Sequence, residues 1–278
     1  MSAGTSIDAD AFNAFEAEGW SRRARGYHEF FSSITARAAE PLLDAAAVGS
    51  GSGVLDVATG PGYVAAAALA RGADATGLDV SSEMVELASR LHREGRFVAG
   101  DAERLPFEDR SFDAAVAAFA ILHLGRPGLA ASELARVVRP GGRVAVSVWD
   151  RPTRCRLVGV FIDALAEADA SPAAGVPAGP DFFRFADDGE LRTLLAEAGF
   201  ERPEVAELRF THHLAGPAEL WHGMLDGTVR VRAMVERQPQ PVRERIRAAF
   251  DRLVAEHAGE GGLEIPVAIK IGSARRPR

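Results

Sequence analysis

The chain has 278 residues, of which 47% are hydrophobic and 26% charged, with a formal net charge of −7 at pH 7. These proportions are ordinary for a globular protein, and the negative charge argues against a broad nucleic-acid-binding face. A single cysteine, Cys155, excludes an intramolecular disulfide and a cysteine-based zinc cluster. No apolar run approaches the roughly 18 residues that cross a bilayer, and residues 1–10 lack the pattern of a signal peptide. We therefore expect a cytoplasmic protein without a membrane partner, either a monomer or a homodimer.

The first predicted element is helical and covers residues 11–48, where aromatic and aliphatic side chains recur at three-to-four spacing and Pro41 interrupts the run. From residue 54 onward, short apolar runs alternate with helical segments. Strands are predicted at residues 54–57, 75–79, 96–99, 112–119 and 143–149. Helices are predicted at 64–70, from Ser81, whose hydroxyl caps the helix start, and near 130–138. This alternation predicts a parallel sheet that is buried on both faces and wound right-handed.

The pattern is less regular after Trp149. A loop is predicted at 171–180, a helix at 187–198, a strand at 205–214, a helical stretch over 217–257 and a late strand at 264–271. The helical stretch between two late strands indicates a cap over the sheet's edge. The predicted fold is α/β, a Rossmann-like doubly wound sheet of about seven mostly parallel strands, with N-terminal helices and a helical cap. We divide the chain into a helical lid (1–48), a ligand-binding core (49–150) and the remaining sheet with the cap (151–278).

Aspartates are predicted at the carboxyl ends of neighbouring strands, the edge at which open parallel sheets bind ligands. Asp56 leads into a glycine loop, Asp79 ends the second strand, and Asp101 follows the third. In the loop, Gly60 and Gly62 allow the backbone to approach a ligand closely. Several carboxylates suit a cationic ligand better than a phosphate-rich one, which prefers backbone N–H groups and cations.

S-Adenosylmethionine fits such a pocket because it carries a sulfonium and an ammonium group. Asp79 would accept both ribose hydroxyls, and Asp56 would orient the loop and the amino-acid end. Asp101 or the Ala102 amide would face the adenine. A dinucleotide is an alternative, since the glycine loop also satisfies a loose dinucleotide fingerprint and Asp79 is suitably spaced for a nicotinamide ribose. Against it, Asp56 and Thr59 stand where a dinucleotide fold runs straight from apolar strand into glycine.

Successive segments resemble the motifs of class I S-adenosylmethionine-dependent methyltransferases, in a branch similar to the ubiquinone/menaquinone-biosynthesis and natural-product methyltransferases. The segments are residues 54–62 (VLDVATGPG), 77–81 (GLDVS), 100–107 (GDAERLPF) and 134–142 (LARVVRPGG). Ala58 departs from the pattern, since many relatives carry glycine there. Trp20 and Tyr27 resemble the family's N-terminal lid residues. The resemblance implies S-adenosylmethionine as cofactor and S-adenosylhomocysteine as product, with contacts from Tyr27, Asp56, Thr59, Gly60, Gly62, Asp79, Val80, Met84, Asp101, Ala102, Ala118 and His123.

His123 is the candidate base or acceptor-orienting group, because the resemblance places residues 118–123 beside both methyl donor and acceptor. A neutral imidazole titrates near working pH, which suits that role; the alternative is a structural histidine beside the cofactor. Candidates for an acceptor pocket in the cap are His212, His213, His222 and Trp221. Adjacent strand residues face opposite ways, so at most one of the first two points inward. No acidic residue stands at ligand spacing from these histidines, and we expect no metal site.

The implied activity is transfer of a methyl group to oxygen, nitrogen or carbon of a small organic acceptor, in secondary metabolism or quinone-like biosynthesis, with no nucleic acid involved. The main alternative is a protein of this fold that binds S-adenosylmethionine without methylating, as a non-methylating enzyme or a binding module. For Tyr27, closure over the cofactor competes with simple packing of an amphipathic helix.

Overall fold

The computed structural model describes residues 7–278. Residues 1–6, the start of the predicted lid and part of the segment inspected for a signal peptide, lie outside the described residues. Within the described range, none of the helices combines the length and the apolar character that a bilayer span requires.

One mixed, eight-stranded sheet forms the centre of the fold. Its strands are β1 (Gly53–Val57), β2 (Asp74–Asp79), β3 (Arg96–Ala99), β4 (Phe112–Ala118), β5 (Val138–Trp149), β6 (Glu201–Leu214), β7 (Ala258–Gly259) and β8 (Gly262–Arg275). The spatial order is β3-β2-β1-β4-β5-β8-β6, with the short β7 paired to β8. Strands β1 to β5 are parallel, and β8 lies antiparallel between β5 and β6. The predicted Rossmann-like α/β fold with a mostly parallel sheet is confirmed.

Helices flank this sheet and alternate with its parallel strands. They are α1 (Ala9–Thr35), α2 (Ala39–Ala45), α3 (Tyr63–Ala70), α4 (Ser82–Leu91), α5 (Pro127–Val137), α6 (Arg156–Glu167), α7 (Asp188–Glu197), α8 (Pro217–Gly227), α9 (Arg230–Glu236) and α10 (Gln240–Ala255). Strand β1 is almost wholly buried, which explains why its residues are apolar except for Asp56. The predicted cap of α4 is present, because the Ser81 hydroxyl accepts a hydrogen bond from the Met84 amide at 3.1 Å.

The structure differs from the sequence prediction chiefly after β5. Helix α6 is absent from that prediction, although Leu157, Val160 and Phe161 on its inner face are fully buried. The helical stretch predicted over 217–257 is divided into α8, α9 and α10, which we call the cap. Strand β5 begins at Val138, before the glycine pair Gly141-Gly142, whereas the sequence prediction starts it at residue 143, after that pair.

The N-terminal helical region is also interrupted differently from its prediction. The break falls at Ala36–Ala38, a 3-10 turn, and not at Pro41. Pro41 lies in the first turn of α2, where backbone N–H groups have no partner within the helix, so its missing N–H is tolerated.

Helix α1 packs closely against α8 of the cap. A Cβ atom on Gly26 would lie 2.4 Å from the carbonyl oxygen of Asp226, and one on Gly223 would lie 2.0 Å from the Phe30 ring. Because neither site has room for a side chain, the two helices approach one another at these glycines. Together, α1 and the cap cover the carboxyl ends of the parallel strands.

Candidate active site

A cavity of about 350 Å³ lies where the carboxyl ends of the parallel strands meet α1 and the cap. Most predicted site residues line it: Tyr27, Gly60, Asp79, Val80, Met84, Asp101, Ala102, Ala118 and His123. We call Gly60, Asp79, Val80, Met84 and Asp101 the strand-end wall. The opposing side contains Glu16, His123, Phe182 and Arg230, which we call the lid wall.

Three predicted contact residues, Asp56, Thr59 and Gly62, do not line the cavity. Thr59 and Gly62 belong to the glycine loop, and Asp56 lies in β1 just before it. Asp56 is 1% exposed, and its Oδ2 accepts hydrogen bonds from the Thr59 hydroxyl at 2.6 Å and the Ala65 amide at 3.0 Å. Gly62 has a φ of +85°, which favours glycine, and a Cβ there would lie 2.9 Å from the Phe97 ring. These residues fix the shape of the loop.

The backbone at Ala58 suits the glycine that the family resemblance leads us to expect there. Its φ is +53°, in the left-handed region that disfavours a side chain with a Cβ. Gly60, two residues along, has the same φ of +53° without that strain, and its open Cβ position leaves the backbone free to approach a ligand. The alanine is tolerated at a conformational cost.

Asp79 holds the edge of the loop through its own carboxylate. Its Oδ2 accepts a hydrogen bond from the Gly60 amide at 2.8 Å, and Oδ1 accepts one from the Ser81 amide at 3.0 Å. Each carboxylate oxygen has a further lone pair for ligand hydroxyls. In the same strand, β2, position 77 has no room for a side chain, because a Cβ on Gly77 would lie 2.6 Å from the Phe97 ring.

The two buried aspartates of this edge have raised pKa values. Burial raises the pKa of Asp79 to about 6, against the lowering effect of the amides that it accepts from. Burial raises the pKa of Asp56 to about 7, and the nearby charge of Asp79 adds to the rise. Buried carboxylates without a counterion favour the arrival of a cation, which suits a ligand with sulfonium and ammonium groups.

The third strand end carries a more open acidic group. The Asp101 carboxylate is exposed and accepts a hydrogen bond from the Glu103 amide at 2.8 Å, whereas Ala102 beside it is buried. Val80 is 51% exposed and lies on the cavity wall, and Met84, which also lines the cavity, is buried. An exposed large apolar side chain at a cavity mouth is suited to stack on a flat ring.

Tyr27 lies on the cavity and is packed by aromatic rings. It stacks on Phe31 at 5.1 Å between ring centres and meets the edge of Trp20 at 5.7 Å. Desolvation raises the pKa of its hydroxyl to about 12, so the phenol stays protonated at neutral pH. The neighbouring His28 points elsewhere, as its helical position predicts, with Nδ1 2.5 Å from the Tyr63 hydroxyl.

His123 is held on the lid wall by a buried carboxylate that the sequence analysis does not single out. Its Nδ1 lies 3.0 Å from Oε2 of Glu16, which is 3% exposed. The indole N–H of Trp20 donates to the same oxygen at 3.0 Å, and its ring centre lies 4.9 Å from that of His123. Glu16 precedes Trp20 by one helical turn, but a glutamate in an amphipathic helix is usually solvated, so no sequence signal marks it.

Two further polar atoms of the lid wall are buried without a hydrogen-bond partner in residues 7–278: Oε1 of Glu16 and Nη1 of Arg230. Arg230 begins α9 of the cap, and its guanidinium lies 5.4 Å from the centre of the Phe182 ring. Phe182 in turn lies 5.5 Å from His123 between ring centres. Arg230 and Phe182, too, are functional candidates that the sequence analysis misses.

The histidines expected to line an acceptor pocket do not line this cavity, which corrects that expectation. His212 and His213 lie on the edge strand β6 and alternate in exposure, and His222 is exposed on α8. Trp221 packs in the core against Phe161 instead. Among residues 7–278 no group of three or more histidine, cysteine and acidic side chains is arranged to hold a metal ion.

Comparison with known proteins identifies the fold and the chemistry. The family described as "Methyltransferase domain" matches residues 55–146. A demethylmenaquinone methyltransferase of Renibacterium salmoninarum is 31% identical over 167 residues, which are 57% of this chain and 70% of that protein. The chain belongs to the class I S-adenosylmethionine-dependent methyltransferases. The predicted activity and cofactor are thereby confirmed, and methylation is favoured over cofactor binding without methyl transfer.

Solved structures share the fold of this methyltransferase. A phosphoethanolamine N-methyltransferase of Haemonchus contortus, solved with phosphomonomethylethanolamine and S-adenosylhomocysteine, has a TM-score of 0.57 and 16% identity over 96% of this chain and 60% of its own. The [4+2]-cyclase SpnF has a TM-score of 0.53 and 22% identity over 87% of this chain and 81% of its own. At these identities the likeness concerns the fold alone.

Proposed function

We propose that this methyltransferase methylates a small organic acceptor bound between the strand-end wall and the lid wall. One observation carries the proposal: a single cavity joins the aspartate-bearing strand ends to His123 and the residues around it. Much of the remaining lining is aromatic or aliphatic, including Phe119 and Trp149, whose rings stack at 4.2 Å. Relatives that act as demethylmenaquinone methyltransferases support an acceptor with a flat, partly apolar ring.

The strand-end wall is proposed to hold the cofactor, which when bound supplies an electrophilic methyl group on its sulfonium. Asp79 accepts the ribose hydroxyls, and Val80 with Met84 flanks the adenine. Asp101 and the Ala102 amide face the adenine edge, while the Gly60 backbone approaches the amino-acid end. Asp56, Thr59 and Gly62 hold the loop in shape, and Tyr27 with Ala118 completes the wall. The raised pKa values of the buried aspartates support this assignment, since a cationic ligand stabilises their ionised forms.

His123 is proposed to take the proton that an acidic acceptor group releases. With Nδ1 3.0 Å from the Glu16 carboxylate, the Nδ1–H form is favoured, and Nε2 is left as the proton acceptor. Glu16 then stabilises the imidazolium as it forms, which makes it a positioning residue for His123. The apolar lining excludes water from the reacting atoms.

We also propose that residues 1–48 act as a lid, residues 49–150 as the cofactor-binding core, and residues 151–278 as the remaining sheet with the acceptor cap. Close packing of α1 on α8 supports joint closure of lid and cap over the cavity. The small residues at that contact leave no room for water between the two helices.

The proposal is tested by incubating the purified protein with methyl-labelled S-adenosylmethionine and a panel of hydroquinones, phenols, aromatic acids and amines. We expect label in at least one acceptor and an equal amount of S-adenosylhomocysteine, and both should form about 100-fold more slowly with His123→Ala. Binding of S-adenosylhomocysteine by calorimetry, with no label transferred to any class of acceptor, would contradict the proposed acceptor site. Glu16→Gln should slow methyl transfer about tenfold, because it removes the counter-charge of His123, and Glu18→Gln on the exposed face of α1 is its matched control.

A further inference from the structure

Arg230 is a largely buried guanidinium of the lid wall that faces the cavity. Its Nη1 atom is buried and has no hydrogen-bond partner in the described part of the chain. Burial lowers the pKa of the group, but a guanidinium remains charged in a protein. The rings of Phe12 and Phe182 both lie close to the guanidinium, each with its centre 5.4 Å from Cζ of Arg230. Burying a positive charge without a partner costs desolvation free energy, which an anion bound beside the guanidinium would offset.

The carboxylates whose charge reaches Arg230 are Glu16 and Asp181. Asp181 is engaged elsewhere, and so is Oε2 of Glu16, whereas Oε1 of Glu16 has no hydrogen-bond partner in residues 7–278. Glu16 uses Oε2 to bind His123 and Trp20. Asp181 is exposed, and its Oδ1 accepts a hydrogen bond from the Phe183 amide at 3.0 Å. Both charges favour the ionised guanidinium, but within the described residues neither carboxylate accepts a hydrogen bond from Nη1 of Arg230.

The neighbouring arginine on α9 behaves differently. Arg232 pairs with Asp226 at 2.9 Å and with Glu236 at 2.7 Å, away from the cavity. Arginines of this chain outside the cavity commonly form such pairs; Arg126, for example, binds Glu103 at 2.7 Å. The missing partner is thus a property of the arginine that points into the cavity and not of the helix that carries it.

We propose that Arg230 binds an anionic oxygen of the methyl acceptor, either a carboxylate or an ionised hydroxyl, and thereby selects acidic acceptors. The inference rests on the proposed acceptor site and names the chemical class of its ligand. Charge-assisted hydrogen bonds from a buried guanidinium are strong and directional, because its planar fork matches a carboxylate or an oxyanion. The Phe182 and Trp20 rings on the same wall accommodate a planar body attached to that oxygen.

The test uses the full chain saturated with S-adenosylhomocysteine, and calorimetry with matched aromatic probes. Benzoate presents a carboxylate, 4-nitrophenol in alkaline buffer presents an ionised hydroxyl, and benzamide is the neutral counterpart. We expect at least one anion to bind about tenfold or more tightly than benzamide, and the preferred anion tells which source of anionic oxygen the site accepts. Arg230→Gln is expected to remove that preference, Arg230→Lys to retain part of it, and Arg237→Gln, at the exposed end of α9, to leave it intact.

Equal binding of benzamide and both anions, or an anion preference that survives in Arg230→Gln, would overturn the proposal. It would also be overturned if Arg230→Gln weakened S-adenosylhomocysteine binding by the same factor, since the guanidinium would then serve the cofactor's carboxylate. Because an unpaired buried charge is removed, we expect the ligand-free melting temperature of Arg230→Gln not to fall. Anion binding through Arg230 without S-adenosylhomocysteine binding would refute the proposed cofactor site and leave this inference standing.

Discussion

The two walls of the cavity are built in different ways. The strand-end wall comes from one stretch of sequence, residues 60–101, in which Asp79 ends one parallel strand and Asp101 follows the next. The lid wall is assembled from separate segments, namely α1, the turn after β4, the loop before α7, and the start of α9. Cofactor recognition is therefore encoded locally, whereas acceptor recognition depends on the packing of lid and cap, and the two can be disturbed independently.

The largest effect is expected from a substitution in the strand-end wall, which should weaken cofactor binding. Asp79→Asn removes the charge that accepts the ribose hydroxyls while it keeps the shape of the side chain. We expect affinity for S-adenosylhomocysteine, measured by calorimetry, to fall about 100-fold, the loss of charged hydrogen bonds to two hydroxyls. Asp74→Asn, at the exposed start of the same strand, is the control and should bind as the wild type does. Unchanged affinity in Asp79→Asn would show that the ribose assignment is wrong.

The next largest effect is expected from substitutions in the lid wall, which should lower turnover and leave cofactor affinity nearly unchanged. His123→Ala is expected to lower turnover about 100-fold because the base is removed. Glu16→Gln is expected to lower it about tenfold because the imidazolium loses its buried counter-charge. Affinity for S-adenosylhomocysteine should change less than about threefold in either variant. Glu16→Gln should also move the acidic limb of the pH–rate profile, which reports protonation of the base, whereas Glu18→Gln should not. An equal loss of cofactor affinity and turnover in His123→Ala would make that histidine part of the cofactor site.

A smaller effect distinguishes the walls by pH. Burial raises the carboxyl pKa of Asp79 to about 6 and that of Asp56 to about 7, so both groups are fully ionised only above these values. Affinity for the cationic S-adenosylmethionine should therefore rise with pH through this range, by up to about tenfold per unit. The stability of the ligand-free protein should change in the opposite direction, because raised carboxyl pKa values contribute stability at acidic pH that is lost as pH rises through 6 and 7.

Calorimetry and thermal melts across this pH range measure the two slopes. S-Adenosylhomocysteine, which lacks the sulfonium charge, should show a shallower pH dependence of binding than S-adenosylmethionine. Equal slopes for the two ligands would mean that the buried aspartates do not sense the sulfonium. A ligand-free melting temperature that rises from acidic to neutral pH would contradict the raised pKa values.

The smallest effect is expected from a substitution in the glycine loop of the strand-end wall, and it concerns stability. Ala58→Gly relieves a backbone held at a φ of +53° and should raise the free energy of unfolding by about 1 kcal/mol. Denaturant titration measures this change, and Ala70→Gly in the last turn of α3 is the opposite control, since glycine there lowers stability. A destabilised Ala58→Gly would mean that the loop does not store this strain.

The sequence predicts the strand-end wall because periodicity places Asp79 and Asp101 at strand ends, and parallel topology gathers those ends at one edge. The same logic does not reach Glu16 or Arg230, since each is an ordinary surface-type residue until tertiary packing buries it. Helix α6 is likewise missed, because its burial depends on contact with α10 far along the chain. The expectation that His212, His213 and His222 line the cavity is wrong for the same reason, because residue type alone does not tell which side of β6 or α8 faces the cavity.

The central claim is that one cavity holds the cofactor on its strand-end wall and the acceptor on its lid wall. A crystal structure with S-adenosylhomocysteine and the preferred anionic probe tests it most directly. We expect the ribose hydroxyls within hydrogen-bond distance of Asp79, and the probe's anionic oxygen on Arg230 with its ring beside His123. A homocysteine carboxylate on Arg230, or an adenosine placed away from Asp79, would contradict the account.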